Sequence, residues 1–180
     1  MPSIYLTLAG PQQAPYPNGG DEAYWMGQVA GALVSHLNHR GIPLAWGRPE
    51  KPEALWLALS SQAAPPEQEG RKKGPLVLFQ EGDPQSQRMA ACLADHLAQA
   101  YPQPEFLLLE GRPRIPELEG APCPGAALRL LYRDNPQDEA WIVRNTGPVG
   151  KKIPYIHSVF HLFVLGGSVL HTVSVWGILR

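Results

Sequence analysis

Three histidines near the end of the chain have a spacing that suits metal binding. His157 and His161 lie four residues apart, so on a helix they stand one above the other and can bind one ion. His171 follows ten residues later, which at about 100° per residue brings it within about 80° of His161 and about 40° of His157. Two ligands rarely suffice for structural zinc, so a complete site would need donors from another chain. The alternative is that this histidine face only packs against protein.

These histidines lie in a segment, 153–179, that contains no Asp, Glu, Lys or Arg over 27 residues. As a helix, a segment of this length can cross the roughly 30 Å hydrocarbon core of a bilayer. Tyr155 and Trp176 lie near its two ends, where aromatic rings favour the membrane interface. The sequence therefore predicts one long hydrophobic C-terminal helix that spans a membrane. The alternative is a terminal helix buried against protein.

The preceding part of the chain alternates predicted strands with predicted helices. Apolar residues recur at three- and four-residue steps in "DEAYWMGQVAGALVSHLNHRG" and "QSQRMAACLADHLAQAY", which indicates amphipathic helices. Asp21 and Glu22 suit the start of the first helix, and Asp83 with Pro84 suits the start of the second. "DNPQDEAWIVRN" predicts a turn and a third helix. The predicted strands are "SIYLTLAG", "IPLAW", "ALWLALSS", "PLVLF", "EFLLLE" and "AALRLLY".

This alternation predicts an α/β fold with a mostly parallel sheet flanked by helices. We expect two units: an α/β domain over residues 1–150 and the hydrophobic helix over residues 151–180. "MPSIYLTLAG" has the pattern of a strand and lacks the pattern of a cleaved signal peptide. The sequence therefore predicts a cytoplasmic domain, anchored to the membrane if the C-terminal helix spans it.

Composition excludes several classes of protein. With 15 basic and 16 acidic residues, the chain has no net field or basic stripe that would attract nucleic acid. Cys92 and Cys123 are far apart and lack CxxC spacing, which argues against a thiolate metal site and against a disulfide scaffold. The cysteine usage favours a reducing compartment.

Residues 3 to about 147 contain, in this order, the segments "IYLTLAG", "PYPNGGDEAYWMGQVAGAL", "ALWLALSSQAAPP", "QSQRMAACLADHL" and "RLLYRDNPQDEAWIVRN". Through these segments the chain resembles the zinc-dependent N-acetylmuramoyl-L-alanine amidases. The resemblance implies the α/β fold of that family. It also implies a zinc ion held by two histidines and a glutamate, and a further glutamate that activates the zinc-bound water. The family hydrolyses the amide between the muramic acid lactyl group and the first alanine of the peptidoglycan stem peptide.

When the family's four functional residues are aligned with this chain, three of them fall on residues that cannot perform the same role, so the site is degenerate. The glutamate ligand falls on Glu22, but the histidine ligands fall on Gly10 and Ser60, and the water-activating glutamate falls on Arg129. Glycine offers no ligand, a serine hydroxyl is a poor zinc donor, and a guanidinium is a permanent cation. No histidine precedes His36, so a shifted alignment does not restore the ligands. The resemblance therefore assigns no catalytic residue. We expect no cofactor, and if one binds, the resemblance implies zinc.

The remaining candidates have structural interpretations. His36 and His39 fall at the end of the first predicted helix, where a cationic imidazole suits the helix dipole, and His96 falls beside the core face of the second. Glu22 would stabilise a helix start by about 0.3 to 1 kcal/mol without any metal.

The resemblance still implies a groove that could bind a carbohydrate or peptide without cleaving it. Its predicted lining is Glu22, Ser60, Ser61, Gln62 and Arg129. We therefore predict a catalytically degenerate amidase-like domain that binds peptidoglycan fragments. The alternative from the same resemblance is an active zinc amidase with unrecognised ligands.

The segment "KKIPYIHSVFHLFVLGGSVLHTVSVWGIL" resembles the last membrane helix of the haemolysin III and adiponectin-receptor family. In that family the helix carries an HxxxH pair, matched here by His157 and His161, and zinc binding needs further donors from earlier helices. Those helices are not in this chain. A third interpretation is therefore a haemolysin III-like membrane protein fragment that assembles with other helices. The join between the two resemblances has three alternative origins: a natural fusion, a truncated gene remnant or an assembly artefact.

Overall fold

The computed structural model describes residues 4–120 and 122–146. A six-stranded sheet forms its centre, in the order β2-β1-β3-β6-β4-β5. The strands are β1 (Ile4–Leu8), β2 (Leu44–Trp46), β3 (Leu55–Gln62), β4 (Leu76–Gln80), β5 (Leu108–Arg112) and β6 (Gly125–Tyr132). The helices are α1 (Glu22–His39), α2 (Pro84–Ala100) and α3 (Pro136–Thr146).

The sheet contains two groups of strands that run in opposite directions. β1 pairs in parallel with β2 and with β3, and β3 pairs in parallel with β6. β4 and β5 are parallel to each other, but β4 pairs antiparallel with β6. The predicted α/β fold with a mostly parallel sheet flanked by helices is confirmed, with one antiparallel pair that the sequence did not predict.

The helices begin and end at the residues whose chemistry favours these positions. The Asp21 side chain accepts a hydrogen bond from the Tyr24 backbone N–H at 2.8 Å and so caps α1. Gly41 has a φ of 67° just after this helix, a conformation that glycine adopts without steric cost. Asp83 caps α2 through the Gln85 N–H at 2.9 Å. These local signals explain why the helix positions could be predicted.

Each face of the sheet has its own apolar core. The larger core includes residues of all three helices together with Leu57, Leu59 and Leu128 of the sheet. The smaller core lies on the opposite face, where Trp56, Ala58 and Ala127 pack with residues of the segment 113–120. Because strand residues alternate between faces, the two faces present different side chains of the same strands.

Two predicted strands differ from those observed. The apolar run "IPLAW" is typical of a buried strand, but β2 is an edge strand, and Trp46 is 56% exposed. β5 begins at Leu108 rather than at Glu105, because Pro104–Phe106 forms a short 3-10 turn. Proline favours the first turn of a helix and cannot donate to a sheet ladder, which accounts for the shift.

The C-terminal predictions lie outside the described residues. They comprise the long hydrophobic helix, membrane anchoring through 153–179, and the metal role of His157 and His161. Within 4–120 and 122–146, no helix combines the length and the apolar character needed to cross a membrane. The boundary between 1–150 and 151–180 and the location of the domain stay predictions.

Candidate functional site

The centre of the candidate site is the buried carboxylate of Glu22. Glu22 is the first residue of α1, and its exposed fraction is 0%. Its Oε1 accepts a hydrogen bond from the Ser61 backbone N–H at 2.6 Å. Its Oε2 accepts hydrogen bonds from the Ser61 hydroxyl and from the Tyr16 hydroxyl, the latter at 3.2 Å. Both carboxylate oxygens are therefore engaged by donors of the protein.

The loop before α1 holds Glu22 in this position. The backbone N–H of Glu22 donates to the Ala14 carbonyl at 3.0 Å, and Pro15 forms an isolated antiparallel bridge with Asp21. The Trp25 indole N–H donates to the Gly19 carbonyl at 3.0 Å. These contacts place the start of α1 beside the carboxyl end of β3, where Ser61 lies.

Tyr16 acts as a hydrogen-bond donor to this carboxylate. Burial is the largest cause that raises the pKa of the Tyr16 hydroxyl, and the Glu22 carboxylate raises it further. The hydroxyl therefore keeps its proton at neutral pH. Sequence reasoning missed Tyr16, and the available signal was an aromatic residue in the turn-rich loop six positions before Glu22.

Gly10 lies against the same carboxylate. A Cβ atom added at this position would overlap Oε1 of Glu22 and lie only 2.8 Å from its Cδ. Such a separation is shorter than a carbon–carbon van der Waals contact. A side chain at position 10 would therefore have to displace the Glu22 carboxylate from its hydrogen bonds.

Three residues of the predicted groove do not join the Glu22 cluster. Alternation along β3 places Ser60 and Gln62 on the opposite face from Ser61. Arg129 pairs in register with Ser60, and its Nε and Nη2 lie 2.8 and 2.7 Å from Oε1 of Glu117. The structure therefore brings Glu22 together with Ser61, and it places Arg129 in an ion pair on the other face.

The other histidines considered as ligands are distributed over two helices. His36 and His39 belong to the last turn of α1, and Nδ1 of His96 lies 2.6 Å from the Cys92 carbonyl on α2. None of them joins Glu22 in a cluster that could hold a metal. Indeed, the part of the chain that the structure describes contains no group of three or more His, Cys, Asp or Glu side chains suited to a metal ion.

The donor set around Glu22 does not fit a zinc ion. Structural and catalytic zinc sites take at least three protein ligands from imidazole, thiolate and carboxylate groups. Gly10 has no donor atom, and the hydroxyls of Tyr16 and Ser61 donate to Glu22 rather than leaving it free to bind a cation. The observed arrangement stabilises the carboxylate by hydrogen bonds from Ser61 and Tyr16.

Comparison with solved structures shows that this chain has the fold of the N-acetylmuramoyl-L-alanine amidases. The CwlD amidase from Clostridioides difficile, solved in complex with the GerS lipoprotein, matches with a TM-score of 0.74 and 11% identity over 96% of this chain and 100% of that chain. The amidase Ami1 from Mycobacterium smegmatis matches with a TM-score of 0.67 and 14% identity, over 95% of this chain and 97% of that one. The catalytic domain of the CD27L endolysin, which targets Clostridia difficile, matches with a TM-score of 0.65 and 15% identity, over 93% and 97%.

No family model matches the chain. No curated protein matches it by sequence. At these low identities the structural likeness defines the fold, while the site must be judged from its own residues.

Proposed function

We propose that the described domain is a catalytically degenerate member of the amidase fold that binds peptidoglycan fragments without hydrolysing them. The observation that carries this proposal is the engagement of Glu22, the one matching residue among the family's four, in hydrogen bonds from Ser61 and Tyr16. A ligand that has to bind a cation would be expected to keep lone pairs directed at an open position.

Arg129 supports the same proposal. A water-activating residue must accept a proton, and a guanidinium does not do so at physiological pH. Here the guanidinium is also paired with Glu117, at 2.7 Å. Arg129 is thus engaged on the face opposite Glu22, and the position that the resemblance gives to the water-activating glutamate supplies no general base to the Glu22 cluster.

The first test is metal content together with hydrolysis. The purified full chain is incubated with zinc chloride, desalted and analysed for metal, and then incubated with purified peptidoglycan. We expect no stoichiometric zinc and no release of stem peptides. One zinc per chain that is lost in Glu22→Gln, together with hydrolysis, would contradict the proposal and favour the active zinc amidase.

The second test is binding of soluble muropeptides, measured by calorimetry. Gln62 provides a suitable probe, because its Nε2 is buried and has no hydrogen-bond partner among residues 4–120 and 122–146. We expect binding by the wild type and weaker binding by Gln62→Ala. Gln99→Ala is the matched control, since Gln99 is an exposed residue whose amide donates to the Asp95 carbonyl on α2. If the wild type shows no heat of binding at millimolar muropeptide, the binding function is wrong.

A further inference from the structure

A cavity lies on the opposite face of the sheet from the Glu22 cluster. It has a volume of about 530 Å³ and lies between β1, β3 and the segment 113–120. Trp56 lines it, and the Trp56 indole N–H donates to the Thr7 hydroxyl at 2.9 Å. Pockets of roughly 300 to 1,000 Å³ are of the size that small ligands occupy. The cavity is thus large enough for a ligand and has an aromatic ring in its lining.

Glu117 lines this cavity and has an unpaired hydrogen-bond acceptor. Its Oε1 receives both nitrogens of Arg129, at 2.8 and 2.7 Å. Its Oε2 is buried and has no hydrogen-bond partner in the described part of the chain. Because the Arg129 cation already balances the negative charge of the Glu117 carboxylate, a neutral donor such as an amide N–H or a hydroxyl is the suitable partner for the unpaired Oε2. A ligand that supplies this donor would complete the hydrogen bonding of Glu117.

Arg48 gives the same cavity a positive charge. Its guanidinium lies over the Trp56 ring, with Cζ 5.8 Å from the centroid, and Nη2 donates to the carbonyl of Glu119. Both partners are neutral groups, and within residues 4–120 and 122–146 Arg48 forms no ion pair. The nearby Glu119 carboxylate is paired instead with Arg114, at 2.6 Å. The cavity wall therefore offers a cation in fixed geometry to an anionic group.

We propose that this cavity binds the carboxyl-terminal end of a short peptide. The terminal carboxylate would bind Arg48, and the amide N–H of the last peptide bond would donate to Oε2 of Glu117. A small side chain would contact Trp56 and Pro116, which line the cavity. This inference rests on the proposed function and deepens it, because it assigns recognition to the peptide portion of a peptidoglycan fragment rather than to the glycan.

The test compares N-acetyl-alanyl-alanine as the free acid with the same dipeptide as its carboxamide, in both the L,L and the D,D forms, titrated into the full chain. A charge-assisted hydrogen bond is lost in the amide, so we expect it to bind about tenfold more weakly or worse. Arg48→Gln should reduce binding of the free acid by a similar factor. Arg88→Gln is the matched control, because Arg88 is an exposed arginine on α2 that donates to the Pro84 carbonyl and does not line the cavity, and it should bind like the wild type.

The direction in which a further variant changes the affinity for the free acid separates charge recognition from shape recognition. Glu119→Gln removes a negative charge from the cavity wall, so binding of the free acid should be tighter if its charge is recognised. Equal affinities for acid and amide, no effect of Arg48→Gln, or displacement of the dipeptide by N-acetylglucosamine would each overturn the inference. Far-ultraviolet circular dichroism of each variant establishes that the fold is retained.

A parallel titration with muropeptides distinguishes this inference from the proposed function. If muropeptides bind and Arg48→Gln leaves their affinity unchanged, the inference is wrong and the proposed function stands. If the dipeptide acid binds through Arg48 but muropeptides do not, the inference stands and peptidoglycan binding is wrong. If neither ligand binds, both are wrong.

Discussion

Removal of the Glu22 carboxylate tests whether this residue belongs to the folded framework or to a metal centre. In Glu22→Ala, the Ser61 backbone N–H and the hydroxyls of Ser61 and Tyr16 lose their acceptor. Ser61 and Tyr16 are 5% and 3% exposed, so water does not readily replace the lost bonds. We therefore expect the variant to be destabilised.

The magnitude follows from the three donors. A buried donor left without an acceptor costs about 1 to 3 kcal/mol, and the two hydroxyls can rotate towards other acceptors whereas the backbone N–H cannot. Relief of the buried charge offsets part of this loss. The expected net loss in the free energy of unfolding is about 3 kcal/mol, which for a domain of this size lowers Tm by about 6 to 12 °C.

The assay is urea and thermal unfolding of the wild type and Glu22→Ala, each with EDTA and with added zinc. Glu53→Ala is the control, because Glu53 is an exposed acid outside the cluster. Equal or greater stability of Glu22→Ala in EDTA would refute the reasoning, since a residue kept for a metal is not needed by the metal-free fold. A zinc-dependent rise in the Tm of the wild type that is absent in the variant would refute it as well.

Three further predictions follow from other buried groups. Burial is the largest cause that raises the pKa of Asp138 above its ordinary value of 3.8, so ionisation of this carboxyl opposes folding. We therefore compare the free energy of unfolding of the wild type with that of Asp138→Asn by urea titration. The wild-type value minus the variant value should fall as pH rises from 3.8 through the raised pKa. A difference that rises with pH would contradict this. Burial raises the pKa of the Cys123 thiol to about 11 from 9.0, which lowers its thiolate fraction at pH 8 about 100-fold. Because a thiolate of higher pKa is also more nucleophilic, iodoacetamide should alkylate Cys123 about tenfold more slowly than an ordinary thiol, as peptide mass spectrometry can measure. Glu139 accepts hydrogen bonds from the Asn18 backbone N–H at 2.7 Å and from the Asn18 side-chain amide at 2.5 Å. Glu139→Ala should therefore lower the free energy of unfolding by about 2 to 3 kcal/mol and accelerate hydrogen exchange at Asn18. Unchanged exchange would show that the loop does not depend on this contact.

The helices and most strands could be predicted because their signals are local. Asp21 and Asp83 cap the helices that follow them, and Gly41 ends α1 within two residues of its last turn. The order and direction of the strands depend on contacts between distant parts of the chain. The antiparallel pairing of Leu78 with Ala127 joins residues 49 positions apart, and no local pattern in β4 or β6 specifies this direction.

The candidate site was harder to predict for a related reason. Ser60 and Ser61 are neighbours in sequence, and the predicted groove contained both, although alternation along a strand sends them to opposite faces. Only the packing of α1 on the sheet shows that Ser61 is the residue that meets Glu22. Likewise, Arg129 was expected beside Glu22, and its partner Glu117 belongs to a proline-rich crossing whose course no local pattern indicated.

The close approach of Gly10 to Glu22 also limits how this protein could change. If a metal-binding centre were built here by single substitutions, a histidine introduced first at position 10 would push the acid away from Ser61. That single variant would lose stability before it acquired any affinity for an ion. A metal centre at this position therefore requires several substitutions at once, because the present packing opposes the first of them.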